Sequence, residues 1–245
     1  MDGCAPPAMG LEDRACREAL TKVVPSTLAH LLVKASVGED TIATSDLLDR
    51  TMLESLLNDD TVDRRAVVSV WALEAFETVL PTVVAAAVLL GRVPEAETGW
   101  IITTGRVTGL RVVAWNFGSF AEFVTAVLGP FVAIVAARGG VSPRVLWSNA
   151  GHIVEASLGM LERDAGVSAG TAALRDLLAA PVVGGGASGL FMPVRYVDGK
   201  RVRRVCCLRF LVPSWRICLI CPLPAGNAGR TRTSLSPCPR ESEGV

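Results

Sequence analysis

The chain has 245 residues, half of them hydrophobic, and a mean hydropathy of +0.42, enough apolar material for one large core or two small ones. That excludes an intrinsically disordered protein, and with aromatics at 5% the interior must be filled by Ala, Val and Leu. The formal charge is zero yet lopsided: residues 1–194 carry 14 basic and 21 acidic residues, whereas residues 195–232 carry nine basic residues against Asp198 alone.

Residues 1–10 lack apolar periodicity and are expected to be a loose tail; the opening residues have neither a basic region nor an apolar run, so they do not read as a signal peptide. From Leu11 to Lys34 the apolar spacing is helical, interrupted at Pro25. Ser45 is a candidate cap for a short helix with Leu48, Met52, Leu53, Leu56 and Leu57 on one face. Arg64 to Leu90 reads as a long apolar helix bent at Pro81. This run and Phe123 to Ala137 approach the length of a membrane span. Glu74, Glu77, Pro81, Gly129 and Pro130 make buried helices the better reading, with peripheral membrane contact left open.

The period then changes. Trp100 to Thr104 and Leu110 to Trp115 are rich in β-branched residues and separated by Gly105 and Gly109, which predicts a hairpin. Ser119 and Glu122 form a capping box for a helix bending near Pro130. Ser142-Pro143 opens a helix to about Arg163, and Ser168 to Leu178 forms a shorter one. Val182 to Gly189 reads as a glycine-rich loop, because Gly184-Gly185-Gly186 lacks the strand–glycine–helix context of a phosphate loop. Val194 to Val197, Asp198-Gly199 and Lys200 to Val205 predict a second hairpin whose last strand runs into Cys206. Residues 225–245 form another loose tail. The expected fold is α+β: a largely helical body with a small antiparallel sheet over residues 11–190, and a cysteine module over residues 191–224.

Seven cysteines are an odd number, four of them within Cys206, Cys207, Cys218 and Cys221, while Cys4, Cys16 and Cys238 stand apart. In a reducing cytoplasm such a cluster points to metal or redox chemistry rather than disulfides. Four thiolates can saturate a structural zinc or a two-iron cluster. Neighbouring side chains of an extended strand face opposite ways, so a vicinal pair chelates one ion awkwardly; a turn at the pair would change that geometry. Zinc and unliganded thiols remain alternatives on spacing alone.

The segment Arg203 to Leu223 resembles the C-terminal signature of ferric siderophore reductases of the FhuF type: Cys-Cys, ten residues, Cys, two residues, Cys, with arginine before and proline after. The resemblance implies that Cys206, Cys207, Cys218 and Cys221 hold a [2Fe-2S] cluster. Leu219 and Ile220 depart from the small or polar residues of that pattern. Trp71 to Leu90 and Leu146-Trp147-Ser148-Asn149 are more loosely similar to the family's body, itself similar to part of the siderophore synthetases. The implied activity is a cytoplasmic ferric-siderophore reductase passing one electron to chelated Fe(III). Its donor would be ferredoxin-, flavodoxin- or flavin reductase-like, and no nucleic acid is involved. The alternatives are a zinc-stapled module without redox activity and a siderophore-biosynthesis relative with a structural cluster.

Arg203, Arg204, Arg209 and Arg216 flank the cysteines. They are read either as a solvated face or as charges that raise a cluster's potential and attract an acidic donor. Arg144, Ser148, His152 and Glu155 share one helical face, an ordinary polar ridge or else one wall of a substrate pocket. The resemblance adds Trp147 and Asn149, so Arg144, Trp147, Asn149 and His152 are the candidate substrate residues. His30 and His152 lack partners at metal-ligand spacing, and no nucleophile–base–acid set is evident, so no catalytic triad is assigned.

Overall fold

Asp63 opens the helix around which the molecule is built. Its backbone is extended, and its carboxylate accepts from the Arg65 backbone N–H at 2.9 Å, satisfying one of the free donors of the first turn. The helix that follows, α1 (Arg64–Leu90), is apolar on nearly every side, so only a position enclosed by other elements suits it. It runs on through Pro81 and ends where Gly91 takes a left-handed conformation, φ 61°, to close the last turn. The structure is a computed structural model and describes residues 41–42, 44–48, 52, 54, 56, 62–95, 99–103, 105–111, 115–212 and 215–223.

On one side of α1 lies a three-stranded antiparallel sheet in the order β1 (Thr41–Ile42), β3 (Gly99–Thr103), β4 (Arg106–Arg111). Strand β2 (Arg92–Pro94) pairs separately with β5 (Trp115–Phe117). The hairpin β3–β4 forms as expected, with Gly105 in its turn at φ 75°. Gly109 belongs to β4, opposite Ile101, where the register shifts. A glycine at an irregularity within a strand resembles a turn signal in the sequence, which is why the second strand was expected too late.

Next come α2 (Phe120–Phe123), a wide turn at Val124–Leu128 and α3 (Gly129–Gly139). The capping box is present: the Ser119 hydroxyl accepts from the Glu122 N–H at 3.3 Å, and the Glu122 carboxylate accepts from the Ser119 N–H at 2.5 Å. The bend expected at Pro130 takes the form of this π-turn. The Gly129 N–H reaches back to the Val124 carbonyl, so the ring enters at the start of a fresh helical segment. Then follow α4 (Pro143–Ala165) and α5 (Ala169–Ala179), the latter capped by Ser168 and Thr171. Ser142 precedes Pro143 as expected, but its hydroxyl makes no cap.

Phe131 of α3 is the hub of the core. Its ring stacks on Trp71 at 6.0 Å, meets Phe76 edge-on at 5.3 Å and lies 4.2 Å from Trp100 of β3. Both indoles still find acceptors, Trp71 at the Gly105 carbonyl and Trp100 at the Thr44 hydroxyl. Two helical stretches, Arg64–Leu90 and Phe120–Gly139, are long and apolar enough to cross a membrane. In this fold α1 is instead the central buried helix.

The stretch read as a glycine-rich loop is a miniature hairpin, β6 (Val182–Val183) with β7 (Gly186–Ala187). Gly184 and Gly185 supply its turn at φ 59° and 81°. The final pair is β8 (Val194–Val197) with β9 (Lys200–Arg203), joined by Asp198 and Gly199. The observed α+β class, mostly helical with small antiparallel sheets, agrees with the sequence reading. Met52 and Leu56 pack on the core as the short-helix reading requires. Leu11 to Lys34, Leu53, Leu57, both tails, His30, Cys4, Cys16 and Cys238 lie outside the described residues.

Candidate metal centre

The four clustered cysteines follow a hairpin that is bolted to α4. Asp198 and Gly199 turn it at φ 51° and 73°, the left-handed values that Asp-Gly tolerates. Arg201 of β9 forms a salt bridge with Glu155 at 2.5 Å, and the same guanidinium donates to the His152 carbonyl at 2.9 Å. The Tyr196 hydroxyl adds a bond to Glu155 at 3.2 Å. Pro193 sits on Gly151, where an added Cβ would come within 2.6 Å of the ring. Trp147 leans on Gly189, where an added Cβ would lie 2.3 Å from the indole. Two helix–loop contacts therefore depend on glycine, and together with the ion pair they fix where the chain emerges.

Beyond β9 the chain bends instead of running straight on. The strand ends at Arg203, so Cys206 and Cys207 lie outside β9. Leu208 adopts a left-handed conformation, φ 65°, ahead of a 3₁₀ turn at Arg209–Leu211. A leucine at positive φ costs on the order of 1 kcal/mol, and what it achieves is local. The Leu208 N–H points back at the Cys206 sulfur at 3.4 Å, and the Arg209 N–H is directed at Cys207.

The sulfurs converge. Cys207 Sγ lies 3.9 Å from Cys218 Sγ, and Cys206 also hydrogen-bonds to Cys207. Cys221 is close enough to disfavour ionisation of both Cys206 and Cys218. Hydrogen bonds from these two thiols, the Arg209 N–H and the Arg203 charge hold the Cys207 thiol well below its ordinary range. Cys206 and Cys218 are pushed up, chiefly because each shares its proton with Cys207 and is partly buried. Among the described residues, no three His, Cys, Asp or Glu side chains converge as ligands of a single ion. Two thiolates on one tetrahedral metal at about 2.3 Å stand about 3.8 Å apart. The Cys207–Cys218 pair already has the spacing of two ligands on one metal.

Beneath this set lies a buried polar chain that the sequence did not reveal. Arg203 is 1% exposed and donates through Nη2 to Asn149 Oδ1. Asn149, 0% exposed, donates through Nδ2 to the Ser69 carbonyl at 2.9 Å and to the Ser69 hydroxyl at 3.1 Å. The Ser69 hydroxyl then donates to the Cys207 carbonyl at 2.8 Å. Helices α1 and α4 thereby hold β9 and the first cysteine pair in one network. Ser148 supports it with a bond to the Val205 carbonyl at 3.4 Å.

The candidate substrate residues divide accordingly. Arg144 is exposed in the first turn of α4; Trp147 and His152 are half-buried. Asn149 has its whole amide engaged inside the molecule, which corrects its assignment to a pocket wall. Within the polar ridge, Glu155 and the His152 carbonyl hold Arg201 of the β8–β9 hairpin and Ser148 bonds to Val205 just beyond it, while Arg144 stays clear of these contacts. Of the four flanking arginines, Arg203 is buried, Arg209 is half-buried, and Arg204 and Arg216 are exposed.

His152 makes a testable contribution to stability. Burial, and then the charges of Arg203 and Arg201, depress its pKa from 6.5 to about 3, against a smaller opposing effect from Cys207. The folded state thus keeps a neutral imidazole where the unfolded chain takes up a proton. Stability is retained above pH 6.5 and lost as the pH falls towards 3. Allowing for solvent on its open side, that loss is on the order of 2 kcal/mol. In urea titrations of metal-free protein at pH 7 and pH 4, His152→Gln should shrink the difference between the two; an equal difference in both proteins would assign the acid sensitivity elsewhere.

Comparison with known proteins bears on the same region. Residues 107–201, from β4 to β9, match the family model described as a ferric iron reductase FhuF-like transporter. The match covers less than half of the chain and stops just short of Arg203. It shows the FhuF-like resemblance on a stretch that does not overlap the cysteine signature. No curated protein matches the chain.

Proposed function

We propose that this FhuF-like chain is a cytoplasmic iron–sulfur reductase that passes one electron to Fe(III) held in a siderophore. Hydroxamate or catecholate oxygens bind Fe(III) tightly and Fe(II) weakly, so reduction frees the metal without destroying the chelator. The observation that carries the reading is the sulfur arrangement. It brings the Cys207 and Cys218 sulfurs to the spacing of two ligands on one metal, with Cys206 and Cys221 near enough to interact with them. Four thiols arranged in this way suit a [2Fe-2S] cluster, which needs two ligands per iron, better than a single zinc ion. When bound, such a cluster supplies a one-electron carrier.

The remaining work falls to the chain. Backbone N–H groups of Leu208 and Arg209 are aimed at the Cys206 and Cys207 sulfurs, where they stabilise negative charge. Cys206 and Cys218 must give up their protons for the set to ligate, so loading is favoured by raising the pH. Leu219 stands fully exposed between Cys218 and Cys221, with Arg204 and Arg216 also at the surface. An anionic ferric chelate or an acidic ferredoxin- or flavodoxin-like donor is suited to this positive rim. Arg144, Trp147 and His152 remain the candidates on α4 for contact with the chelate.

Protein purified anaerobically from iron-replete cells should contain two irons and two labile sulfides per chain and give an EPR signal on reduction. Prereduced protein should be reoxidised by a ferric hydroxamate or ferric catecholate in stopped flow. Stoichiometric zinc in place of iron would replace this reading with the non-redox module; a cluster indifferent to every ferric chelate would make it structural.

A further inference from the structure

Arg203 is the most deeply buried charged side chain in the described structure, and it has no carboxylate partner there. It is 1% exposed, its Nε has no hydrogen-bond partner, and its one side-chain partner, Asn149 Oδ1, is neutral. The arginines of the Arg65–Asp63, Arg106–Glu74, Arg175–Glu162 and Arg201–Glu155 pairs, by contrast, each meet an acid that is itself at least partly open to solvent. A guanidinium withdrawn from water without counter-charge costs several kcal/mol, so the compensating negative charge should lie close by. Burial pushes the pKa of its guanidinium down from the ordinary arginine value, and the groups that oppose this and favour the charged form are Cys207, Cys218 and Cys206, in that order.

We propose that Arg203 is the built-in counter-charge of the iron–sulfur cluster and that Asn149 and Ser69 are its positioning residues; the inference rests on the cluster reading above. The hydrogen-bond directions leave Asn149 one orientation. Ser69 Oγ gives its proton to the Cys207 carbonyl, so it can only accept from Asn149 Nδ2. Asn149 Oδ1 is thereby turned to Arg203. The network therefore fixes two things together, the first cysteine pair and the charge beneath it.

Oxidised, four thiolates, two sulfides and two ferric ions leave a double negative charge; taking up one electron makes it triple. A fixed cation favours the more negative state and raises the potential. The magnitude depends on screening. Arg204, one residue on, has the same formal charge but faces water and is screened by solvent and salt, whereas Arg203 is enclosed. Only one arginine of the adjacent pair should therefore matter much to the potential.

The test is a redox titration, followed optically and by EPR, of wild type, Arg203→Gln, Arg204→Gln, Arg203→Lys and Asn149→Asp. Arg203→Gln should shift the reduction equilibrium at least tenfold towards the oxidised form, about 59 mV for one electron. Arg204→Gln should shift it several-fold less. Arg203→Lys retains the charge and should stay near wild type, separating charge from packing. Asn149→Asp keeps the acceptor for Arg203, loses the two Nδ2 donations to Ser69, neutralises the guanidinium and should lower the potential like Arg203→Gln. Should Arg203→Gln fail to hold a cluster, Asn149→Asp and Arg203→Lys carry the comparison. Equal shifts for the two glutamine variants, an unchanged potential in Asn149→Asp, or a lowered one in Arg203→Lys would each overturn the assignment. A wild-type protein that takes up no cluster would defeat the underlying reading instead.

Discussion

Protein carrying Cys207→Ser should purify without iron or labile sulfide, and chemical reconstitution should not restore them. Cys207 is the buried member of the set, with the Cys206 and Cys218 thiols directed at its sulfur and its carbonyl held by Ser69. An alcohol in its place is a far weaker ligand, because it stays protonated where the Cys207 thiol is already poised to ionise. Serine at Cys206, Cys218 or Cys221 should also lose the cluster. Cys221, whose sulfur makes none of the hydrogen bonds that tie the other three, should leave the largest residue of bound iron. Iron, sulfide and zinc analysis of the four variants beside Cys4→Ser, Cys16→Ser and Cys238→Ser reads the outcome. Full iron and sulfide in Cys207→Ser would remove it from the ligand set, and loss in one of the three distant variants would bring that thiol into it.

Much of the body was legible because its signals are local. The Asp198-Gly199 turn, the Ser119–Glu122 capping box and the apolar run of α1 each carry their cause within a few residues, and each is found where the sequence puts it. The errors share another cause. Gly109 and Gly184-Gly185-Gly186 were read as connectors, yet one lies inside β4 and the others build a two-residue hairpin. Glycine permits both, and only strand pairing decides between them. The vicinal cysteines were tested against an extended strand, whereas β9 ends at Arg203 and the pair lies beyond it, just before Leu208 at positive φ.

The support around the four cysteines was illegible in the sequence. Ser69 and Asn149 are 80 residues apart, and Asn149 and Arg203 are 54 apart, so no periodicity joins them. Arg201 likewise finds Glu155 across 46 residues. A serine inside an apolar helix such as α1 was the one available signal, since a buried hydroxyl there needs an acceptor outside its own turn. Asn149 went astray for a related reason. It entered the candidate set through the resemblance alone, which says nothing of the direction it faces, and in this helix Asn149 faces α1.

That dependence on the body has a consequence for the cysteine segment taken alone. A peptide of residues 191–224 should not assemble a cluster, although it contains all four thiols. Within the whole protein its path is set from outside: Leu178 accepts from the Met192 N–H at 2.8 Å, Glu155 and the His152 carbonyl hold Arg201, Asn149 holds Arg203, and Ser69 holds the Cys207 carbonyl. Cut free, the segment is too short to bury a core of its own, and Arg203 returns to water, where it no longer fixes the chain beneath the sulfurs. Four tethered thiols would still scavenge zinc or iron, so retained metal is not the criterion. The measurement is the EPR spectrum and sulfide content of reconstituted peptide beside full-length protein. A peptide with two sulfides per chain and the full-length signal would make the module autonomous and reduce the Ser69–Asn149–Arg203 network to packing. Loss of both, with the network variant Asn149→Leu weakening cluster retention in the intact protein, would locate the folding of the metal centre in the contact between α1, α4 and β9.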